Sequence, residues 1–343
     1  MTEHQPTTER GRIRIEGFEE AVDETDRDGV DVWDDDRRSE RRGRLEDVWR
    51  RFRSNRSAMV GLGVVAGLVF LTVFARPLEF STMGYTITVQ PFSLAPHDPS
   101  EMYVGPANAG PSLAHPFGTD WAGRDQFSRV LAGGRFSLSI GAIAVALALL
   151  VGIPLGAIAG YAGGWVDELV MRLVDTLYAF PFLVLAIAIV AVLGQGYWNL
   201  VAALALTGWI GYARLLRGEV LAVKEREYVT AATALGVPDR TVVFRHVVPN
   251  AIAPVIVQAT LNVGTVVLSA AALGFLGLGL DPSTAEWGAM LSRGRDSLVH
   301  GHWHVTVFPG LAIFLFVMAI NLVGDGLNDA LDPQGETVER RRR

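Results

Sequence analysis

The chain has 343 residues, half of them hydrophobic, and a formal net charge of −6. It contains no cysteine, which excludes disulfides and thiol chemistry. The apolar residues are concentrated in long blocks, and a bilayer core needs roughly 20 mainly apolar residues per helical span. An integral membrane protein is therefore expected, and nucleic acid is not expected as a partner.

A charged arm precedes the first apolar block. Residues 1–36 hold 13 acidic and 4 basic residues and few apolar ones, which predicts a disordered segment. Residues 37–57 carry nine arginines. They are either a topology determinant close to anionic headgroups or an interfacial helix, and the two interpretations are compatible. The apolar face of that helix would comprise Leu45, Val48, Trp49 and Phe52. A cleaved signal peptide is not expected, because the first apolar block begins far along the chain.

Six apolar blocks follow, and each is long enough to form a span. They are 58–75, 136–160, 171–193, 198–216, 249–279 and 305–327. The fifth block is longer than one span requires and contains Pro254, which predicts a kink or tilt. The expected fold class is all-α, a polytopic membrane protein with six transmembrane helices.

The connection between the first two blocks, residues 76–135, is rich in Pro, Gly and Ser. It is too long for a tight turn, so we expect a small extracytoplasmic subdomain. Its early part, STMGYTITVQPF, alternates enough to predict one or two short strands.

The distribution of basic residues predicts the orientation of the spans. With the N-terminus inside, the inside segments hold 20 Lys and Arg residues and the outside segments hold 6. Basic residues accumulate on the cytoplasmic side. We therefore predict a multi-pass plasma-membrane protein whose N-terminus and C-terminal tail, 328–343, are both cytoplasmic.

The longest inside loop after the arm, residues 217–248, predicts two helices lying along the membrane. Residues 219–235 have helical character, and Gly236 with Pro238 would end that helix. A second helical stretch is predicted over 239–248, with Pro249 opening the next span. Small residues on the first helix would allow another protein to approach closely: Ala231, Ala232 and Ala234. A merely solvated charged loop is the alternative.

Motifs for catalysis are missing from the sequence. The single lysine, Lys224, follows no glycine-rich turn, so there is no P-loop. There is also no HExxH pair and no GxSxG elbow. We therefore expect no enzyme activity in this chain, and any ATP hydrolysis would belong to another polypeptide.

The inside loop resembles the EAA loop of ATP-binding-cassette (ABC) importer permeases. The matching positions are Thr230-Ala231-Ala232, Gly236 and Val248-Pro249, and Thr230 stands where the family usually has Glu. The stretches REYVTAATALG and FRHVVPNAIAPVIV are similar to the version found in dipeptide and oligopeptide permeases.

Two further segments are similar to the C-type subunit of the same family. One comprises His115 to Asp120 with Gly123-Arg124-Asp125 and Ser128-Arg129. The other comprises Gly274 to Gly279, Trp287-Gly288 and Gly294-Arg295-Asp296. The resemblance covers about residues 45–333.

The resemblance implies a type I ABC importer permease fold with its core at 136–327. It implies a heterodimer with a second, homologous permease, two cytoplasmic ATP-binding subunits that use ATP and Mg, and an extracytoplasmic solute-binding protein. This chain itself would bind no cofactor. The implied ATPase-coupling residues are Arg226, Glu227, Tyr228, Thr230, Ala231, Ala232, Gly236, Val248, Pro249 and Asn250. The expected substrates are dipeptides or oligopeptides; nickel, another small solute, or a stand-alone secondary transporter or channel are the alternatives.

Other features have both structural and functional interpretations. Gly152, Gly156 and Gly160 share one helical face, as do Gly63 and Gly67, and close helix packing is favoured over a gate. Arg172 and Asp175 are close enough on a helix to pair, and a structural role is favoured. Several polar residues on the last two spans could line a water-filled path: Asn250, Gln258, Asn262, Asn321 and Asp325.

The segment HGHWH contains three histidines in alternation, His300, His302 and His304. They could bind a metal if the segment is extended, whereas on a helix only the first and last share a face. No acidic or sulfur-containing residue lies within this segment, so a structural surface role is favoured over a metal site.

Overall fold

The structure, a computed structural model, describes residues 46–82 and 85–331. The chain divides into two units, residues 1–50 and 51–343. Residues 46–54 are helical and form α1. The predicted acidic arm, Leu45 and residues 332–343 of the predicted tail lie outside the described residues.

Apolar helices dominate the second unit. The elements after α1 are, in chain order, α2 (Arg56–Val73), β1 (Leu78–Thr82), β2 (Tyr85–Gln90), α3 (Gln126–Ala162), α4 (Gly164–Tyr178), α5 (Phe182–Leu193), α6 (Tyr197–Lys224), α7 (Glu227–Ala234), α8 (Asp239–Val242), α9 (Val248–Ala251), α10 (Ala253–Phe275), α11 (Trp287–Val299) and α12 (His304–Leu331). Five of them, α2, α3, α6, α10 and α12, are long and apolar enough to cross a membrane. The pair α4 and α5 brings the number to six if it is one broken span.

The third apolar block, 171–193, is not one continuous helix, contrary to the prediction. Helices α4 and α5 meet at an angle of 88°. Pro181 stands between them with an extended backbone, φ −56° and ψ 128°. Because proline lacks an N–H and disfavours helix in the residue before it, α4 cannot continue through this position. Hydropathy averages over this break, since the residues on both sides are apolar.

The other long helices differ from the predicted blocks mainly at their ends. Helix α3 begins ten residues earlier than the block at 136–160, at Gln126, where the Asp125 side chain accepts a hydrogen bond from Ser128 N. Helix α6 continues to Lys224, so the predicted helix 219–235 is divided at 225–226. The fifth span is interrupted at Ile252, two residues before Pro254, and the remainder runs to Phe275.

The core of the second unit is the packing of α3 on α6. Three glycines of α3 face the backbone and small side chains of α6. A Cβ at Gly152 would lie 2.8 Å from Trp209 O, and one at Gly156 would lie 2.5 Å from Ala213 O. The packing interpretation is thus confirmed for this face. At Gly63 and Gly67 no atom lies within 4 Å of an added Cβ, and Gly61 is instead the glycine of α2 that meets α12.

The segment between α2 and α3 contains the expected strands. β1 and β2 pair antiparallel, with Glu79 opposite Thr88 and Thr82 opposite Tyr85. The remainder is folded against the start of α3 by buried polar contacts. Arg124 Nε donates to Asp120 Oδ2 at 2.7 Å, and Arg129 Nη1 donates to the Pro99 carbonyl at 2.8 Å.

The second C-type motif packs at the start of α11 against α3, directly after the first motif, and against α10. Trp287 Nε1 donates to the Val130 carbonyl at 2.9 Å, and a Cβ at Gly288 would lie 2.6 Å from the Ala271 carbonyl oxygen. Glu286 caps α11 by accepting from Gly288 N and Ala289 N. These contacts therefore hold α3, α10 and α11 together.

Candidate coupling loop and translocation path

The loop between α6 and α10 is built around α7. Gly236 has φ +78°, a conformation that costs glycine little, and ends the helix. Its N–H donates to Thr233 O at 3.0 Å, and Val237 N donates to Ala232 O at 3.2 Å. This pair of bonds is the Schellman arrangement. The predicted stop at Gly236 is confirmed, and it fixes the direction in which the chain leaves α7.

Most of α7 is exposed, and Val229 is its buried anchor. Val229 is 2% exposed and packs with Val242 and Val247 in the main core. Of the predicted coupling residues on this helix, Ala232 is half-buried and the others are exposed: Arg226, Glu227, Tyr228, Thr230, Ala231 and Gly236. Helix α7 therefore presents most of its residues outward, while Val229 packs into the core.

Two large apolar side chains stand out on this loop. Leu235 is 85% exposed and Phe244 is 76% exposed. Neither lies on a helix long and apolar enough to span a membrane. Large apolar side chains this exposed outside the spanning helices are candidates for a protein interface.

The second half of the loop is less regular than predicted. The stretch predicted as one helix, 239–248, is a short α8, a π-helical turn at Val243–Val247, and the start of α9. The predicted coupling residues Val248, Pro249 and Asn250 follow the π turn. Asn250 Nδ2 donates to the His246 carbonyl at 2.6 Å, so Asn250 stabilises this turn.

Sequence reasoning missed three residues that attach the loop to α3. Lys224 Nζ donates to the Tyr161 carbonyl at 2.6 Å and lies 5.1 Å from the Tyr161 ring centroid. Tyr161 Oη donates to Asp239 Oδ1 at 2.8 Å. The presence of a single lysine in a chain whose other basic side chains are arginine was the available signal.

Helix α4 is held to α6 by two ion pairs near the same end of the bundle. Arg217 donates from Nε and Nη2 to Asp167 at 3.0 and 2.6 Å. Arg214 pairs with Asp175 and lies 4.4 Å from the ring centroid of Tyr178. The predicted pairing of Arg172 with Asp175 is wrong.

Arg172 instead pairs with Glu168, one turn earlier on α4, at 2.5 Å. Asp175 is drawn to α6 because Arg214 reaches it from a neighbouring helix, which local spacing does not reveal.

A cavity of about 430 Å³ lies among α3, the α4–α5 bend, α6 and α10. Its lining is mainly apolar and includes Phe180 and Pro181 of the bend. Its polar groups include Tyr212 and Asn262, whose side chains share a 3.1 Å hydrogen bond from Asn262 Nδ2 to Tyr212 Oη. Gln258 Nε2 donates to Asn262 Oδ1 at 3.0 Å and extends this polar line along α10.

The polar residues that the sequence suggested for a water-filled path lie in different places. Asn262 lines the cavity and Gln258 adjoins it, whereas Asn250 belongs to the loop. Asn321 and Asp325 face outward from α12. Tyr212 was not predicted, since a tyrosine in a long apolar block gives no distinguishing pattern.

The three histidines of HGHWH do not converge. His300 Nδ1 contacts the Asp296 carbonyl at 2.7 Å, and buried His304 Nε2 contacts the Thr119 carbonyl at 3.0 Å. The ring centroids of His302 and His304 are 6.3 Å apart. His304 therefore joins the start of α12 to the HPFGTD segment.

Comparison with protein families gives two matches. Residues 152–334 match the binding-protein-dependent transport system inner membrane component family. Residues 43–111 match the N-terminal transmembrane domain of oligopeptide transport permease C. The first match spans more than half of the chain and includes the coupling loop and the cavity-lining residues of α6 and α10.

Curated relatives agree over most of the chain. The glutathione transport system permease protein GsiD of Escherichia coli O157:H7 is 44% identical over 289 residues, which are 84% of this chain and 90% of that protein. The dipeptide transport system permease protein DppC of Alkalihalophilus pseudofirmus is 43% identical over 288 residues, 84% of this chain and 89% of that protein.

A solved structure has the same fold. A chain of the MetNI methionine ABC transporter in an inward-facing conformation superimposes with a TM-score of 0.50 at 16% identity. The match covers 60% of this chain and 97% of that one.

Proposed function

Because the chain belongs to the binding-protein-dependent transport system inner membrane component family and is an ABC importer permease subunit, we propose that it imports dipeptides or oligopeptides. It would form one half of the pathway with a second, homologous permease. Two cytoplasmic ATP-binding subunits would supply the energy, and an extracytoplasmic solute-binding protein would deliver the substrate.

The observation that carries the coupling role is the exposed α7 loop. Leu235 and Phe244 stand out from it, and Gly236 and Val229 fix its shape. A protruding, rigid element is suited to enter a cleft on an ATPase subunit and to transmit its movement. The attachment of the loop to α3 through Lys224, Tyr161 and Asp239 supplies a direct connection from that element to the spans.

The cavity at the α4–α5 bend supports a pathway through this chain. Tyr212, Asn262 and Gln258 provide hydroxyl and amide groups, which can exchange hydrogen bonds with a peptide backbone. No charged side chain lines the cavity among the described residues. Neutral polar groups are suited to many peptide sequences, which agrees with the peptide substrates named for the relatives.

Nickel and other small solutes are the alternative substrates for the same scaffold. A nickel pathway would require nitrogen or oxygen ligands that converge on the metal. The HGHWH histidines have separate surroundings, so this segment gives no support to a nickel pathway.

Co-purification tests the partners directly. A tagged chain extracted from its native host in mild detergent should carry a second permease and P-loop ATPase subunits in stoichiometric amounts. Recovery of the chain alone, or only with copies of itself, would support a stand-alone transporter or channel instead.

Leu235→Glu tests the docking role of the loop. We expect it to insert normally, to lose the ATPase subunits on purification by about tenfold or more, and to lose peptide uptake. That effect is typical of removing a central apolar anchor. Leu113→Glu is the matched control, because Leu113 is also fully exposed but lies on the loop before α3. Equal retention of ATPase subunits by both variants would contradict the docking role.

A further inference from the structure

Two histidines and one aspartate converge beside the N-terminus of α3. They are His97, His115 and Asp125, and one potential ligand atom from each lies within 4.8 Å of the others. His97 and His115 come from the connection that follows the hairpin, and Asp125 is the N-cap of α3. The coupling loop and the cavity use none of these side chains.

Asp125 is hydrogen-bonded to one histidine of this group and not to the other. His115 Nδ1 lies 2.9 Å from Asp125 Oδ1, a hydrogen-bond distance. His97 Nδ1 lies 3.9 Å from Asp125 Oδ2 and is a buried nitrogen without a hydrogen-bond partner. The two imidazole centroids are 5.2 Å apart. Buried polar atoms without partners are uncommon, so the His97 nitrogen requires an explanation.

Ser128 fixes the positions of Asp125 and His97 by hydrogen bonds. Its N–H and Oγ donate to Asp125 Oδ2 at 2.8 and 2.6 Å. The same Oγ accepts from His97 N at 3.2 Å. Oδ2 is thus occupied in capping α3, and Oδ1 is turned toward His115. Outer partners of this kind orient the ligands of protein metal sites.

A purely structural hydrogen bond accounts for His115 and Asp125 but leaves His97 Nδ1 unpaired beside the same carboxylate. We propose that His97, His115 and Asp125 bind a divalent transition metal of the zinc class. The ligands would be the two Nδ1 atoms and Asp125 Oδ1, with water in the fourth position. Two imidazoles and a carboxylate with an open position form a recognised zinc ligand set.

The surroundings permit a cation to enter. His97 lines a cavity of about 990 Å³, and its side chain is 29% exposed, whereas Asp125 is fully buried. Three arginines also line this cavity, and each has a partner. Arg76 is paired with Asp98 at 3.1 Å, Arg124 Nε with Asp120 at 2.7 Å, and Arg135 Nε donates to the Thr72 carbonyl. The metal would therefore be reached from the cavity and held from the protein side by a fixed carboxylate.

The bound metal would join the connection between β2 and α3 to the start of α3. Metal ligation would bind the segments around His97 and His115 to the first turn of the helix, and binding energy at such a site adds to folding stability. The inference is independent of the transported substrate and of the ATPase contact.

Cobalt provides the test, because four-coordinate Co²⁺ absorbs visible light where octahedral aqueous Co²⁺ hardly does. The full-length chain, purified with its partners through a tag without histidine and treated with EDTA, would be titrated with Co²⁺ and then Zn²⁺. We expect one Co²⁺ per chain, displacement by Zn²⁺, and a rise in Tm on metal addition.

His97→Gln is the main variant, because the His97 ring has no hydrogen bond to lose. It should retain the metal-free Tm and weaken Co²⁺ binding by more than about 100-fold, beyond what loss of an outer partner costs. His300→Gln, an exposed histidine outside the group, is the matched control and should bind Co²⁺ like the unaltered chain. No tetrahedral Co²⁺ signal in the unaltered chain, or equal binding by His97→Gln, would overturn the proposal.

Discussion

At the scale of single residues, buried polar groups hold together the starts of α3 and α11. Glu286 shows this most clearly, because its carboxylate receives N–H groups from Gly288 and Ala289 and the hydroxyl of Ser137. Burial nevertheless raises the pKa of Glu286, since the desolvation of its charged form outweighs these three hydrogen bonds. The residue caps α11 and also makes the fold sensitive to pH.

The direction in which pH changes the stability of the fold follows from the linkage between proton binding and folding. A carboxyl whose folded pKa is raised contributes stability below its unfolded pKa of about 4.5, and the contribution is lost as pH rises through the folded pKa. We expect the Tm of the unaltered chain to fall relative to Glu286→Gln as pH rises from 4.5. Thermal unfolding in detergent across this range measures the difference.

Asp281 supplies a control of opposite sign. Hydrogen bonds from the Ser283 side chain and backbone lower the pKa of this exposed carboxyl. The Tm of the unaltered chain relative to Asp281→Asn should therefore rise with pH through the acidic range. A Tm difference for Glu286→Gln that does not vary with pH would contradict the assignment.

At the scale of elements, the contact between α3 and α6 determines how the bundle is packed. Gly152, Gly156 and Gly160 allow the two backbones to approach so closely that an added methyl group would meet backbone atoms or a valine side chain. Lipid supplies no hydrophobic driving force between helices, so small residues and tight packing provide the attraction. Two ion pairs then attach α4 to α6 beside the cavity.

Gly156→Ala tests this contact. The new Cβ would lie 2.5 Å from Ala213 O, so we expect a loss of about 1–3 kcal/mol of stability from overpacking. Gly218→Ala, in α6, is the matched control because nothing lies within 4 Å of its added Cβ. It should be neutral or slightly stabilising, since alanine favours helix over glycine. Equal unfolding temperatures for both variants would show that α3 and α6 can move apart enough to accept the added methyl group, which would contradict the expected overpacking.

At the scale of the whole molecule, the proposed function requires the α7 loop and the segment before α3 to lie on opposite sides of the membrane. The loop would face the ATPase subunits in the cytoplasm, and the other segment would face the solute-binding protein. The excess of arginine in the inside segments predicts this arrangement.

The absence of cysteine from the sequence allows a direct test of orientation. Leu113→Cys should react with a membrane-impermeant maleimide in intact spheroplasts. Leu235→Cys should react only after the membrane is opened. Both leucines are well exposed, so accessibility within the protein does not differ enough to cause the contrast. The reverse labelling pattern would contradict the predicted orientation.

Several features were determined by the sequence alone because they depend on local composition. Long apolar blocks predicted the spanning helices, alternation predicted one or two short strands, and Gly236 predicted the end of α7. Motif spacing around Ala231-Ala232 and His115–Asp120 also indicated the family. Each of these signals is read within one short window of the chain.

Other features were decided only by tertiary structure, because they join residues far apart in sequence. Arg214 reaches Asp175, Asn262 meets Tyr212, and His97 turns toward Asp125 across distances that no local pattern encodes. The 88° bend at Pro181 was hidden for a related reason, since hydropathy records the apolar character of both halves and not their direction. The helix end in the loop between α6 and α10 was therefore readable from the sequence, whereas the cavity and the histidine–aspartate group required the packed helices.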